Sequence, residues 1–241
     1  MDRLIAILAG VIAVLFVFVP HELAHGYVAY KCGDPTAKMY GRLTLNPVKH
    51  IDPYGFVLCI LTGFGWAKPV PVNPGNFHHY RRGMFLTAIA GVVTNYIIAF
   101  IAYPLFLLTL KIQSHGETAM FFVSFFQSIF ELTFLYSLSV FIFNLLPLYP
   151  LDGFRVVESC TREINPVRRF LKNYGQYILI FLVVESFICD ILYVDVGWTY
   201  ARYFDILGYV QWFAREILGF PIIGLWNTVF GYPVRIMPFI W

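Results

Sequence analysis

The stretch LIAILAGVIAVLFVFVPHELAHGYVAY, residues 4–30, decides how the whole chain is read. Positions 4–20 hold only Leu, Ile, Ala, Val, Phe, Gly and Pro, and then His21, Glu22 and His25 arrive together before the apolar run resumes. At 1.5 Å per residue the stretch makes ~40 Å of helix, enough to cross the ~30 Å hydrocarbon core of a bilayer. Ionisable groups at that depth face protein or water and mark function. On a continuous helix His21 and His25 stand one turn apart on one face. Both imidazoles can then reach one metal ion, with Glu22 beside them to take a proton from a metal-activated water. Pro20 removes one backbone bond just before the first histidine and predicts a kink there.

The composition agrees with a membrane setting. Apolar types make up 59% of the 241 residues and charged types only 13%, with mean hydropathy +0.69. Further apolar runs at 84–110, 119–145 and 174–194 approach or exceed the ~20 residues a span needs. The expected fold is an α-helical polytopic membrane protein with about four to six transmembrane or interfacial helices. Residues 1–194 form its core, and the aromatic-rich stretch 195–241 reads as interfacial or partly inserted helices. The net charge of +3 is small and scattered, so no nucleic-acid partner is expected. Cys32, Cys59, Cys160 and Cys189 form no metal-binding or disulfide spacing.

Between the first two spans, residues 31–82 are broken by Gly33, Gly41, Gly55, Gly63, Gly65 and Gly75 and by Pro35, Pro47, Pro53, Pro69, Pro71 and Pro74. The short alternating or apolar runs between them predict a small β-rich, re-entrant loop after the first helix.

Charge asymmetry sets an expected orientation. Lys31, Lys38, Arg42, Lys49, Lys68, Arg81 and Arg82 fall in this loop, and Arg155, Arg162, Arg168, Arg169 and Lys172 precede the fourth span. Arg3 and Lys111 fall on the other side, so the positive-inside rule puts the two basic loops in the cytoplasm. The two histidines then lie near the cytoplasmic face. The second and third spans go out and back, which returns Asp152 to the depth of His21 and His25.

Two histidines leave a catalytic zinc site short of its usual third protein ligand. Asp152, in the turn Pro150-Leu151-Asp152-Gly153, is the leading candidate, with an N-cap as the plainer reading. Asp34, Asp52, Glu131 and Glu158 compete, Asp52 most strongly. Asn144, eight residues earlier, has an amide that could steady a developing oxyanion or bond a neighbouring helix. Gly91 and Asn95 share one face of the second span, near the site, and read as close packing plus a cross-helix hydrogen bond. His50, His78 and His79 read as loop staples.

Four stretches resemble the site-2 protease family of intramembrane zinc metalloproteases: HELAH at 21–25, GRLTLNPVKHIDPYG at 41–55, GVVTN at 91–95 and NLLPLYPLDG at 144–153. The resemblance implies His21, His25 and Asp152 as ligands of one Zn2+ per chain, Glu22 as catalytic base and Asn144 as a polar helper. It is to a compact member without PDZ or CBS domains. Phe154, Gly26 and Pro20 depart from the usual pattern. The implied activity is hydrolysis of peptide bonds within or near transmembrane segments of membrane-protein substrates. The implied setting is a multi-pass protein of a prokaryotic plasma membrane. The loop between residues 38 and 72 could hold an unwound substrate by strand addition. The competing reading is a non-proteolytic membrane metal-binding or zinc-transport protein. Such a carrier would want ligands spread through both leaflets, whereas these cluster at one face.

Overall fold

The structure, a computed structural model, describes residues 2–62, 67–113 and 116–233, with side chains at 2–4, 58–62 and 214–215 outside the description. Its elements are α1 (Asp2–Lys31), α2 (Thr36–Met39), α3 (Pro53–Thr62), α4 (Tyr80–Leu110), α5 (Glu117–Leu145), α6 (Asp152–Cys160), α7 (Pro166–Val194) and α8 (Ile206–Phe230). Helices α1, α4, α5 and α7 are long and apolar enough to cross a membrane. The chain is a helical membrane protein.

Helix α1 runs unbroken through Pro20. Of its buried positions, Ala9, Ala13, Val17, His21, His25 and Ala29 recur every fourth residue, with Val19 and Gly26 buried beside that row. Rows at that spacing form the ridges by which helices pack. The two histidines therefore continue the same stripe as the small residues that let α4 and α5 approach. Without such small side chains two helices in lipid cannot come close enough for dispersion to hold them. Helix α4 runs antiparallel to α1, since His25 meets Thr87 and His21 meets Asn95. Helix α5 returns alongside α4, with Tyr103 against Phe134 and Tyr96 against Phe141.

A second centre of packing joins α4, α5 and α8 through Ala99, Ala102, Tyr103, Phe106, Leu107, Phe134, Leu138, Ile222 and Ile223. Tyr96 to Leu218, Phe100 to Trp226, Tyr103 to Asn227 and Lys111 to Phe230 are bonded in step, so α8 lies along α4 in the same direction. Residues 234–241 of the tail lie outside the described residues. Helix α7 stands apart: only 6% of its most apolar window is buried.

The expected β-rich loop is not what forms between α1 and α4. Its described residues make helix α2, a 3₁₀ turn at Pro47–Lys49, helix α3, a second 3₁₀ turn at Pro74–Asn76 and one isolated antiparallel bridge, Ile51 to Ala67. The reason lies in the caps. Asn46 accepts from Val48 N–H, and Asp52 from the N–H groups of Tyr54 and Gly55, so each starts a helical turn. Pro47 and Pro53 then take the first helical positions, where a missing N–H costs nothing. Prolines at 69 and 71 deny the one extended stretch a ladder.

The loop is held by buried polar groups. Asp34 accepts from Thr36 through both backbone and hydroxyl, from Asn73 N–H at 2.7 Å and from the Asn76 amide at 2.8 Å. His50 Nε2 bonds the Thr44 carbonyl at 2.8 Å.

Candidate metal centre

His21 and His25 project from the buried stripe of α1, and their Nε2 atoms lie 3.0 Å apart. Asp152, the first residue of α6, brings Oδ2 to 3.3 Å from His21 Nε2 and 3.0 Å from His25 Nε2. All three side chains are buried. Among the described residues they are the one group of three or more such side chains close enough to share a metal ion.

The outer nitrogens decide what the inner ones can do. His25 Nδ1–H donates to the Thr87 carbonyl at 2.7 Å. That fixes the tautomer and leaves Nε2 with a bare lone pair. His21 Nδ1 meets the Asn95 amide at 3.0 Å. With both Nδ1 atoms protonated, which for His21 requires the Asn95 amide to turn its oxygen toward the ring, two imidazole lone pairs and a carboxylate oxygen crowd a space only 3 Å across. Asp152 Oδ2 is itself buried with no hydrogen-bond donor among the described residues. Such an arrangement is repulsive unless a cation sits in it. A tetrahedral ion with bonds of about 2.0–2.1 Å sets its ligand atoms about 3.3 Å apart, at or just beyond the separations found here. The donor set of two imidazoles and one carboxylate suits zinc.

The second oxygen of Asp152, Oδ1, lies 4.0 Å from Arg155 Nη1.

Gly91 explains how two rings fit between α1 and α4. A Cβ there would fall 2.4 Å from His25 Nε2 and 2.7 Å from His21 Cε1. Asn95 stands one turn further along α4, fully buried. The packing role expected of this pair is thus directed at the two histidines.

Glu22, beside His21, turns to a cavity of about 760 Å³. His21, Asn144, Pro150, Leu151 and, from α7, Gln176 share that cavity. Its size is in the upper range of small-ligand sites, and its remaining walls are mostly apolar side chains of α1, α5 and α7, with Tyr136, Ser139, Ala67 and, from α8, Gln211 among them. Asn144 donates to the Val140 carbonyl of its own helix at 3.1 Å, so its amide oxygen is left for the cavity. The sequence reading missed Gln176. A lone amide in an apolar span was the available signal.

The competing carboxylates are occupied elsewhere. Asp52 caps α3, Asp34 staples the loop, and Glu158 pairs with Arg168 at 2.6 Å. Glu131 lies outside the cluster of His21, His25 and Asp152. Phe154 is buried and packs edge-on against Tyr149.

The sequence profile described as peptidase family M50 matches residues 109–186, which include Asn144 and Asp152. A Bacillus subtilis (strain 168) protein named "Putative zinc metalloprotease YwhC" is 49% identical over 175 residues, covering 72% of this chain and 78% of the relative. "Putative zinc metalloprotease Rip2" of Mycolicibacterium smegmatis is 26% identical over 196 residues, covering 78% of this chain and 70% of the relative. No solved structure matches the chain.

Proposed function

This chain belongs to peptidase family M50, the site-2 protease family of membrane zinc metalloproteases, and on that premise we propose that it cleaves peptide bonds within or near transmembrane segments of other membrane proteins. The observation that carries the proposal is the convergence of His21, His25 and Asp152 beside a cavity that His21 and Glu22 line and whose walls are mostly apolar side chains of membrane-length helices. A soluble peptide does not require such walls.

His21, His25 and Asp152 would hold one zinc ion. Zinc in such a site supplies Lewis acidity and brings the pKa of a water down to about 7. Glu22 accepts the proton of the attacking water on its carboxylate and returns it to the departing amine nitrogen. Asn144 offers its amide to the developing oxyanion after giving up its bond to Val140. Thr87, and Asn95 with its amide oxygen turned to His21 Nδ1–H, keep the two imidazoles in the tautomer that leaves Nε2 bare. The apolar walls exclude bulk water, which strengthens each of these interactions. A helical substrate must unwind before its carbonyl can be attacked, and Gln176, across the cavity, can bond a backbone released in this way. The basic loops at 31–82 and 155–172 support an active site near the cytoplasmic face of a prokaryotic plasma membrane. Residues 1–194 carry the catalytic groups, and 195–241 add a helix along α4.

The test is co-expression with a tagged single-span reporter. Cleavage is expected with the unaltered chain and none with Glu22→Gln. Cleavage that persists in the variant, or zinc transport without cleavage, contradicts the proposal.

A further inference from the structure

Val70 sits in the run Lys68-Pro69-Val70-Pro71-Val72. The two prolines carry no N–H, and each biases the residue before it toward extended backbone. The run therefore cannot coil, and its donors come only at alternate residues. Lys68 N–H is taken by the His50 carbonyl at 2.8 Å, and the Lys68 carbonyl accepts from Arg42 Nη2 at 2.7 Å. The Val70 N–H instead donates to Glu22 Oε2 at 2.8 Å.

Gly26 allows this approach. It lies one turn beyond Glu22 on the same face of α1, so the loop must come down over Gly26 to reach the carboxylate. A Cβ at this position would stand 2.9 Å from both Val70 Cγ1 and Leu43 Cδ2, and 3.1 Å from Ala37 Cβ. Val70 is accordingly buried on the bare helix surface at only 6% exposure.

We propose that the Val70 N–H is a positioning group for Glu22, and that Gly26 and the flanking prolines are the sequence devices that deliver it. The inference rests on the reading of Glu22 as the general base. A glutamate side chain turns about three single bonds, and a charge-assisted bond at one oxygen removes most of that freedom. With Oε2 held by the loop, Oε1 is left toward the cavity, where a proton has to be received. The geometry also ties the base to the loop: Arg42 and His50 fix the run at Lys68, and through Val70 they fix the carboxylate.

Replacing Val70 by its α-hydroxy acid turns the amide into an ester and removes only the N–H. We expect kcat for reporter cleavage to fall about 10- to 100-fold, part of the ~10²–10⁴ that a positioned general base supplies, with KM and bound zinc unchanged. Gly26→Ala should show the same split. Gly26→Ala combined with Val70→Ala and Leu43→Ala should recover most of the loss, since alanine at 70 keeps the N–H and both 2.9 Å contacts, Val70 Cγ1 and Leu43 Cδ2, are gone. Three results overturn the proposal: full kcat in the ester variant, zinc lost in step with activity, or a triple variant no better than Gly26→Ala. Glu22→Gln run beside them separates the two readings. If it still cleaves, the base assignment fails; if it is dead and the ester is fully active, the positioning role alone fails.

Discussion

Asn95 meets His21 Nδ1 with its side-chain amide at 3.0 Å, and Asn95 Oδ1, buried, has no partner among the described residues. A half-turn of the amide puts Oδ1 on the imidazole N–H and satisfies both groups at once. In that orientation Asn95 does for His21 what the Thr87 carbonyl does for His25.

Removing such a partner of a metal-ligating histidine typically costs 10- to 100-fold in metal affinity. We expect Asn95→Leu to lose zinc by about that factor in competition with a chelator. Asn95→Asp, whose carboxylate still accepts from Nδ1–H, should keep more of the affinity than the leucine variant.

Gly91→Ala is a sharper perturbation, because the added Cβ would fall 2.4 Å from His25 Nε2. Alanine favours helix over glycine by about 1 kcal/mol, so α4 itself should persist. The variant should reach the membrane in normal amount yet hold less than about a tenth of the zinc. Elemental analysis of the purified protein checks this, and stoichiometric zinc would show that the rings have room to move.

The loop should come loose in acid. Burial pushes the Asp34 carboxyl up, but bonds from Thr36, Asn76 and Asn73 outweigh it and hold the group below its ordinary value. A depressed carboxyl contributes stability above the unfolded value of ~3.9 and loses it as pH falls through the folded value. Digestion by an acid-active protease should therefore speed up at residues 67–79 below about pH 4. Asp34→Ala should show the same exposure at neutral pH, where a neutral-active protease reads it.

Filling the cavity should separate metal binding from turnover. Ser139 lines the cavity on α5, on the wall that also carries Asn144. Ser139→Trp should leave zinc content unchanged and lower reporter cleavage about tenfold or more, a barrier of roughly 1.4 kcal/mol. Unchanged cleavage would mean the substrate reaches Glu22 by another route.

Much of this was legible in the chain. The spacing of His21 and His25, one turn apart on one face, is written in α1, and run lengths with the placement of basic residues returned Asp152 to the same level. The loop was misread because alternation in residues 38–45 resembles a strand, and the cap chemistry of Asn46 and Asp52 was given too little weight. Backbone donors are harder to foresee. The bond from Val70 to Glu22 leaves only indirect traces, a Pro-Val-Pro run and a glycine where alanine is usual. Gln176 was visible as a polar residue in an apolar span, but only the fold shows which cavity it lines.

The central claim is that α1 and the start of α6 together hold a single zinc ion, and zinc K-edge absorption on the purified protein tests it most directly. The account expects one zinc per chain with two imidazole nitrogens and a carboxylate oxygen at about 2.0–2.2 Å, and loss of that signal in Asp152→Ala. Full zinc in Asp152→Ala, or a sulfur-ligated spectrum, would contradict it.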